Sequence, residues 1–504
     1  MTSPSALQEA PRVPPPHMPP PTRGLFRLVV PPIILPVFMA AADGTIVATA
    51  LPSIANTFGE VHNLSWVVIA NLIAGTVAAP AYGKLGDLYG RRRMMLISLL
   101  AFAAASLLCA YSPSFTVLLI GRVLQGLGGG GLMTMAQALV GEHVPVRQRG
   151  TYQGYLSANI VTGTTIGPVA GGLITQLWGW HAVFLMYLPL CAIAMLLVLR
   201  LPAGVRGQGK ARFDMIGLLL LTAAVVPMLL LVTEFQRPDP SALPRMGVLL
   251  VLTVIGFVAL LWHQGRAPAP LLDLRLLRNP SFWRSDVMAA CSGASLTALM
   301  TFLPLYLVAA SGATVAEAGL MLIPLSGAVS SGSVVTGWLI SRTGRTAIFP
   351  SVGLSITGLS LIALAIWAPS LSRAELAWAL AVGGLCQGSA MITAQITVQS
   401  VSSMSQLGAA AGSVQLARAL GSAFGAATAG AVLFGLLATL YPATADVFVQ
   451  MVREGPGVLH ALSQPQQAVV QADVANAFRG VFLTVACFST MIVLCAATMP
   501  VRRL

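Results

Sequence analysis

Fourteen apolar stretches, each close to the roughly 20 residues needed to cross a hydrocarbon core, leave this chain little choice but to fold in a bilayer. They fall near 28–52, 65–83, 94–112, 114–141, 150–175, 181–200, 214–233, 246–263, 283–310, 317–341, 347–367, 375–399, 406–440 and 480–499. Lipid offers backbone groups no water, so each stretch must close its hydrogen bonds internally as a helix. Only 9% of the 504 residues are charged and the mean hydropathy is +0.82, too few charges to cover a soluble body of this size. The expected class is an all-α membrane protein with 14 transmembrane helices, and the even count puts both termini on one side.

Charge in the loops sets the orientation. The run GKLGDLYGRRRMM, from Gly83 to Met95, places four bases and one acid in a tight turn between two apolar segments. By the positive-inside rule that turn is cytoplasmic. The other segments on the same side hold Arg23, Arg27, Arg147, Arg149, Arg200, Arg206, Lys210, Arg212, Arg266, Arg275, Arg278, Arg342, Arg345, Arg502 and Arg503, against only Arg237, Arg245, Arg373, Arg453 and Arg479 outside. Both termini are therefore expected in the cytoplasm, and the membrane is expected to be a plasma (bacterial inner) membrane. A weaker copy of the turn follows in the second half: Gly337, Leu339, Gly344 and Arg345 repeat the spacing of Gly83, Leu85, Gly90 and Arg91. Two halves with the same punctuation point to internal duplication.

The expected layout is a cytoplasmic tail over 1–27, a six-helix bundle over 28–200, a linker with two extra spans over 201–281, and a second bundle over 282–504. The tail is rich in Pro and polar residues without an apolar core, unlike a signal peptide. The two linker spans are almost pure Leu, Val, Ile and Ala and read as lipid-facing. One long outer loop, near 441–478, alternates apolar and polar residues at helical spacing and is expected to form short surface helices.

Several function classes are excluded. The formal charge of +13 is scattered over short loops, with no basic helix or stacking platform for nucleic acid. The six cysteines all fall in apolar stretches with no pair at metal or redox spacing, so no metal, cofactor or disulfide is expected. No Ser, His and acid constellation stands at catalytic spacing and the phosphate-binding GxxxxGK[ST] pattern is missing, which argues against an enzyme and against ATP-driven work.

Charged side chains deep in lipid are costly and face a partner or an aqueous cavity. Three stand deep: Asp43, Arg122 and Arg418. At about 1.5 Å per residue, Asp43 lies roughly 22 Å above the inner face and Arg122 roughly 12 Å below the outer one. In a core about 30 Å thick these levels agree to within a turn, so the two can pair. Asp43 then reads as a protonation site whose affinity Arg122 sets, a fixed tie between the first and fourth spans being the alternative. The fourth span reads GRVLQGLGGGG (Gly121 to Gly131) and the fifth GTTIGPVAGG (Gly163 to Gly172), glycine spacings that allow close helix approach.

In that order along the chain, DGTIVATALPSIA (Asp43 to Ala55), GKLGDLYGRRRMM, GRVLQG and GTTIGPVAGG together resemble the major facilitator superfamily, and the fourteen-span layout resembles its drug:proton antiporter, or multidrug efflux, branch. WGWHAVFLMYLPL (Trp178 to Leu190) and GAAAGSVQLARALGSAFG (Gly408 to Gly425) fit the same pattern. The resemblance implies two six-helix bundles rocking about a central cavity, with two extra helices between them. It further implies proton coupling at Asp43 and Arg122, a conformational lock at Gly83, Asp87, Gly90 and Arg91, and an antiporter-type helix motif at Gly163, Gly167, Pro168, Gly171 and Gly172. In the second half, Ser341 stands where Asp87 stands and Gly384 where Arg122 stands, so the proton chemistry is expected in the first half only.

Candidate cavity groups are Asn71, Gln125, Gln137, Asn159, Gln387, Gln395, Gln415 and Arg418, with aromatic walls from Tyr82, Tyr155 and Trp338; hydrogen bonding or packing between helices is the alternative for each. The only acids of spans nine and ten are Asp286 and Glu317, near their ends. With no second deep acid to receive a dication, the expected substrate is a neutral, zwitterionic, anionic or monocationic lipophilic or aromatic small molecule, moved by a monomer through the lipid bilayer at the expense of protons. Export of drug-like compounds or metabolites is the first reading. Uptake of an aromatic nutrient such as riboflavin or another vitamin is the alternative.

Overall fold

The structure is a computed structural model that describes residues 23–60, 63–202, 213–235, 242–454, 457–460 and 462–503. Most of the expected tail, and the bases Arg206, Lys210, Arg212 and Arg237, lie outside the described residues. Among those described, 14 helices are long and apolar enough to cross a membrane.

The first half contains α1 (Arg23–Phe58), α2 (Ser65–Tyr89), α3 (Arg91–Ala110), α4 (Phe115–His143), α5 (Arg149–Trp178), α6 (Trp180–Leu185) and α7 (Tyr187–Leu199). The last two form one span, Trp180–Leu199; Pro189 has no N–H to bond the Leu185 carbonyl, which accounts for the break. The linker supplies α8 (Met215–Phe235) and α9 (Leu243–Gln264). The second half contains α10 (Pro280–Ala309), α11 (Val315–Thr343), α12 (Ile348–Trp367), α13 (Arg373–Val401), α14 (Leu407–Leu440), the short α15 (Pro442–Glu454) and α16 (Gly457–His460), and α17 (Gln464–Ala497). The duplicated turns have the same physical basis. Gly90 joins α2 to α3 with φ +95° and Gly344 ends α11 with φ +70°, conformations that a side chain resists.

Each half has its own core. Phe102, Leu132, Met135, Phe184 and Tyr187 centre the first, and Phe302, Tyr306, Phe478 and Phe482 centre much of the second. The extra helices behave differently from one another. α9 is mostly exposed along Val248, Val251, Ile255 and Val258, as expected for lipid. α8 is wedged against both halves instead, with Leu221, Val225 and Leu229 packed beside Val77 of α2 and Leu416 of α14. Its uniform apolar composition concealed that, because lipid and protein neighbours select the same residues. Asp214 ties the linker together: its Oδ1 lies 2.9 Å from His263 Nε2 and accepts from the Gly217 amide at 2.8 Å, while Oδ2 accepts from Leu271 N at 3.2 Å.

The expected outer loop divides. Its first part forms the short α15 and α16, but from Gln464 onward the chain is already helical and runs into the last span as α17. Gln, Asp and Arg in 464–479 lower the hydropathy there, yet Val470, Val474, Ala477 and Phe478 at helical spacing bury themselves. The helix therefore extends beyond the part that hydropathy marks.

The halves meet at the face carrying the Gly83–Met95 turn. Gly83 near the end of α2 abuts Gly408 at the start of α14, and Gly150 at the start of α5 abuts Gly337 near the end of α11. Thr151 N and Oγ1 both donate to Ser341 Oγ, at 2.9 and 3.0 Å. The seam continues inward to Ala158, whose carbonyl accepts from Ser330 at 3.4 Å. Towards the opposite face Gly172 of α5 meets nothing within 4 Å. This chain is thus closed on the basic-turn face. A Cβ at Gly150 would stand 2.7 Å from Ser341 Oγ, so Gly150→Val should destabilise this closed form by about 1–3 kcal/mol through overpacking. Faster alkylation of a cysteine introduced at Thr151 would report it; an unchanged rate would contradict the seam.

Candidate functional site

At the centre of the first half, α4 carries Arg122 into contact with α1, α2 and α6. Its Nη1 lies 2.8 Å from Asp43 Oδ2, with 0% and 1% of the two side chains exposed. Nη1 also donates to Gln125 Oε1 at 2.6 Å, and Nε donates to the Val67 carbonyl at 2.8 Å. Gln125 Nε2 in turn donates to Ser106 Oγ at 2.9 Å. The guanidinium carbon stands 5.8 Å from the Phe184 ring centre. Each contact fixes the guanidinium, because a buried cation must be both paired and hydrogen-bonded.

Asp43 is held on one side only. Oδ2 accepts from Arg122 and from Asn71 Nδ2, both at 2.8 Å, whereas Oδ1 has no completed hydrogen bond. The buried Tyr187 hydroxyl is directed at Asp43 but falls short of a completed bond. Asp43 also lines a cavity of about 350 Å³ shared by α1, α2, α3, α4, α5 and α14, to which Thr45, Asn71, Gln415 and Arg418 contribute. The carboxylate therefore has one oxygen committed to structure and one without a partner, beside a cavity. A proton on Oδ1 would leave the contacts of Oδ2 in place while removing the negative charge that balances Arg122.

Arg418 enters the cavity from α14. Its Nε donates to Gln415 Oε1 at 3.3 Å, and no carboxylate lies within 4.0 Å of it among the described residues. The cavity wall thus brings together Asp43, Asn71, Gln415 and Arg418 of the sequence candidates.

The other candidates lie elsewhere. Gln125 sits behind Arg122 and is occupied in bonding it. Asn159 donates to the Ile34 carbonyl at 2.8 Å. Gln137 is buried, and its backbone carbonyl accepts from Gln399 Nε2 at 2.9 Å. Tyr82 packs over Gly131, and Tyr155 meets Phe26 edge-on with centroids 5.6 Å apart. Trp338 is half exposed on α11 under the Arg342 guanidinium, at 5.1 Å. Gln387 lines a small void with Leu325, Thr357 and Gly384; neither its amide atoms nor those of buried Gln395 find partners. A polar residue on an apolar helix does not reveal which interface it faces, and here most face a neighbouring helix.

The turn at the closed face is a dense charge cluster. Asp87 Oδ1 and Oδ2 accept from the amides of Gly408 and Ala409, both at 2.8 Å, at the start of α14. Arg91 Nη2 donates to Asp87 Oδ1 at 2.7 Å and to the Met404 carbonyl, and its Nη1 lies 3.3 Å from Glu142 Oε2. Arg149 joins them, donating to Val144 O at 3.1 Å, Gln399 O at 3.0 Å and Gly141 O at 2.6 Å. Glu142, Arg149 and Gln399 were not legible as part of this cluster, because nothing in their spacing links them to Asp87. Ser341, in the position matching Asp87, holds the start of α5 through Thr151 much as Asp87 holds the start of α14. The second copy keeps this helix-start contact with a hydroxyl in place of a carboxylate.

In the fifth-helix motif, Gly163, Gly167 and Gly171 face α1 at Ala41, Thr45 and Ile46. Gly172 does not share that contact, and it lines an open recess with Pro168, Thr49 and Pro52. Asp286 differs in environment from a span-end acid: on the second turn of α10 it accepts from Ser413 Oγ at 2.7 Å, and its Oδ1 is shut away without a partner.

The comparisons with known proteins agree with this architecture. The sequence profile described as Major Facilitator Superfamily matches residues 33–426. An uncharacterised MFS-type transporter of Mycobacterium tuberculosis is 33% identical over 458 residues, 90% of this chain and 66% of that protein. The chain thus spans just under two thirds of the length of that relative. The multidrug transporter protein MdtP of Bacillus subtilis is 30% identical over 411 residues, 81% of this chain and 75% of its own length. Among solved structures, the human organic anion transporter MFSD10 superposes with a TM-score of 0.64 at 15% identity, covering 94% of this chain and 100% of that one. The proton:xylose symporter XylE gives 0.59 at 14% identity, covering 94% and 96%. At such identities the likeness is one of fold alone.

The hydrogen-bond chain behind the ion pair makes its own prediction. Gln125→Leu removes an acceptor from a fully buried guanidinium and should cost about 1–3 kcal/mol, more than Ser106→Ala, which leaves the Arg122 contacts intact. Thermal melting of the purified protein checks it; equal melting of both variants would contradict the assignment.

Proposed function

The chain belongs to the major facilitator superfamily, and on that premise we propose that it is a proton-coupled secondary transporter, exporting lipophilic drug-like compounds or metabolites in exchange for protons. The observation that carries the proposal is Asp43: a buried carboxylate paired to Arg122 through one oxygen, with the other unpartnered beside the central cavity. Support for export comes from relatives named as multidrug transporters, among them the Bacillus subtilis protein.

In the proposed cycle the basic-turn face is cytoplasmic, so the closed seam corresponds to an outward-open form. Asp87, with Arg91 and Gly83, latches that form by holding the amides at the start of α14, where the helix dipole favours an anion. Protonation of Asp43 from outside neutralises the partner of Arg122 and biases the seam to open inwards. Release of the proton to the cytoplasm resets the pair. One charge crossing about 100 mV supplies about 2.3 kcal/mol, enough to sustain a roughly fortyfold gradient of a neutral solute.

The cavity favours neutral, zwitterionic, anionic or singly cationic solutes. Among the described residues its one carboxylate is engaged by Arg122, and Arg418 adds a positive charge with no acid beside it.

Asp43→Asn should raise whole-cell accumulation of a lipophilic dye to the level of cells lacking the protein. Because that variant leaves Arg122 uncompensated at a cost of about 3–5 kcal/mol, the charge-balanced Asp43→Asn, Arg122→Gln pair is measured beside it and should lose proton-driven export equally. A variant that still pumps with full proton dependence contradicts the coupling. A deletion strain that acquires a nutrient requirement, with dye accumulation unchanged, contradicts export.

A further inference from the structure

At the basic-turn face, the start of α12 and the end of α17 enclose an open pocket of about 420 Å³. Arg345, Arg502 and Arg503 line it together with Ile348, Ala496 and Ala497. The arginines are brought together by backbone pairing and not by chance exposure. Thr346 N donates to Arg502 O at 3.1 Å, Thr346 Oγ1 donates to Val501 O at 3.2 Å, and Arg345 and Arg503 form an antiparallel bridge. Arg502 Nη2 donates to the Ala497 carbonyl at 3.1 Å, which orients one guanidinium across the end of α17. Among the described residues no acidic residue lines the pocket, and none of the three arginines has a carboxylate within 4.0 Å.

The surroundings distinguish this pocket from an ordinary basic loop. It sits where α12 and α17 leave their apolar spans, the level of phospholipid headgroups. Below it, Ile348, Val352, Ile356 and Leu359 form an exposed apolar stripe along α12, at three- and four-residue spacing on one helix face. A pocket of guanidinium groups over an apolar stripe matches an anionic headgroup with an acyl chain beneath it. A free phosphate ion would use only the upper half of that surface.

We infer that Arg345, Arg502 and Arg503 form a binding site for the phosphate headgroup of an anionic phospholipid, whose acyl chain lies along the exposed stripe of α12. The site pins the α11–α12 turn, and α11 carries Gly337 and Ser341 of the seam.

Native mass spectrometry of the full chain in non-ionic detergent, titrated with phosphatidylglycerol or phosphatidylcholine, tests the site. The wild type should retain phosphatidylglycerol, and R345Q/R502Q/R503Q should bind it at least about tenfold more weakly. The charge-matched variant R93Q/R266Q/R278Q should bind as the wild type does. Equal loss in both triple variants would overturn the site in favour of unspecific charge. Should the glutamine triple fail to fold, R345Q and R503Q are measured singly, and undiminished binding in both would equally overturn it. Inorganic phosphate should not displace the lipid; displacement at millimolar phosphate would show a free-anion site and overturn the lipid assignment.

Discussion

A carboxylate and a guanidinium removed from water inside a helical bundle can exist as charges only while they stay together. Arg122 and Asp43 impose that condition on the first half of this protein. Val67, Asn71, Ser106 and Gln125 are placed where they are because a buried cation and anion require hydrogen bonds beyond the pair itself. Such a pair adds little net stability compared with apolar packing. Its distinctive property is conditional: removing the charge from Asp43 changes what Arg122 needs.

In the proposed cycle that change is answered at the seam. The seam between the halves consists of close glycine contacts, Gly83 with Gly408 and Gly150 with Gly337, flanked by two helix-start contacts of the same design, the latches of the proposed cycle. One uses the Asp87 carboxylate and the other the Ser341 hydroxyl, each set against the start of a helix in the opposite half. Charged hydrogen bonds are worth about 1.5–3 kcal/mol and neutral ones about 0.5–1.5, so the carboxylate latch is the stronger. α8 packs over the same junction through Val77 and Leu416, which gives at least one of the added helices a structural contact with both halves.

Much of this was legible in the sequence because lipid enforces simple rules. Spans follow from hydropathy, and the depth count brought Asp43 and Arg122 to one level from 79 positions apart. What stayed hidden depends on rotation about each helix axis. Trp338, Gln387 and Asn159 have the composition of cavity residues but face other surfaces, whereas Arg418 and Gln415 do face the cavity. Likewise, Ser341 reads as the loss of Asp87 until Thr151 is seen beside it. The extension of α17 was hidden because Gln, Asp and Arg in 464–479 suit a helix but lower the hydropathy by which a span is recognised.

The central claim is that Asp43 exchanges its proton for substrate, and proton release measures this directly. Purified protein in weakly buffered detergent, mixed with a dye that expressing cells exclude, should release protons as it binds the dye, by reciprocal linkage. Asp43→Asn should release none. Release from Asp43→Asn equal to that of the wild type would place the coupling proton elsewhere and contradict the account.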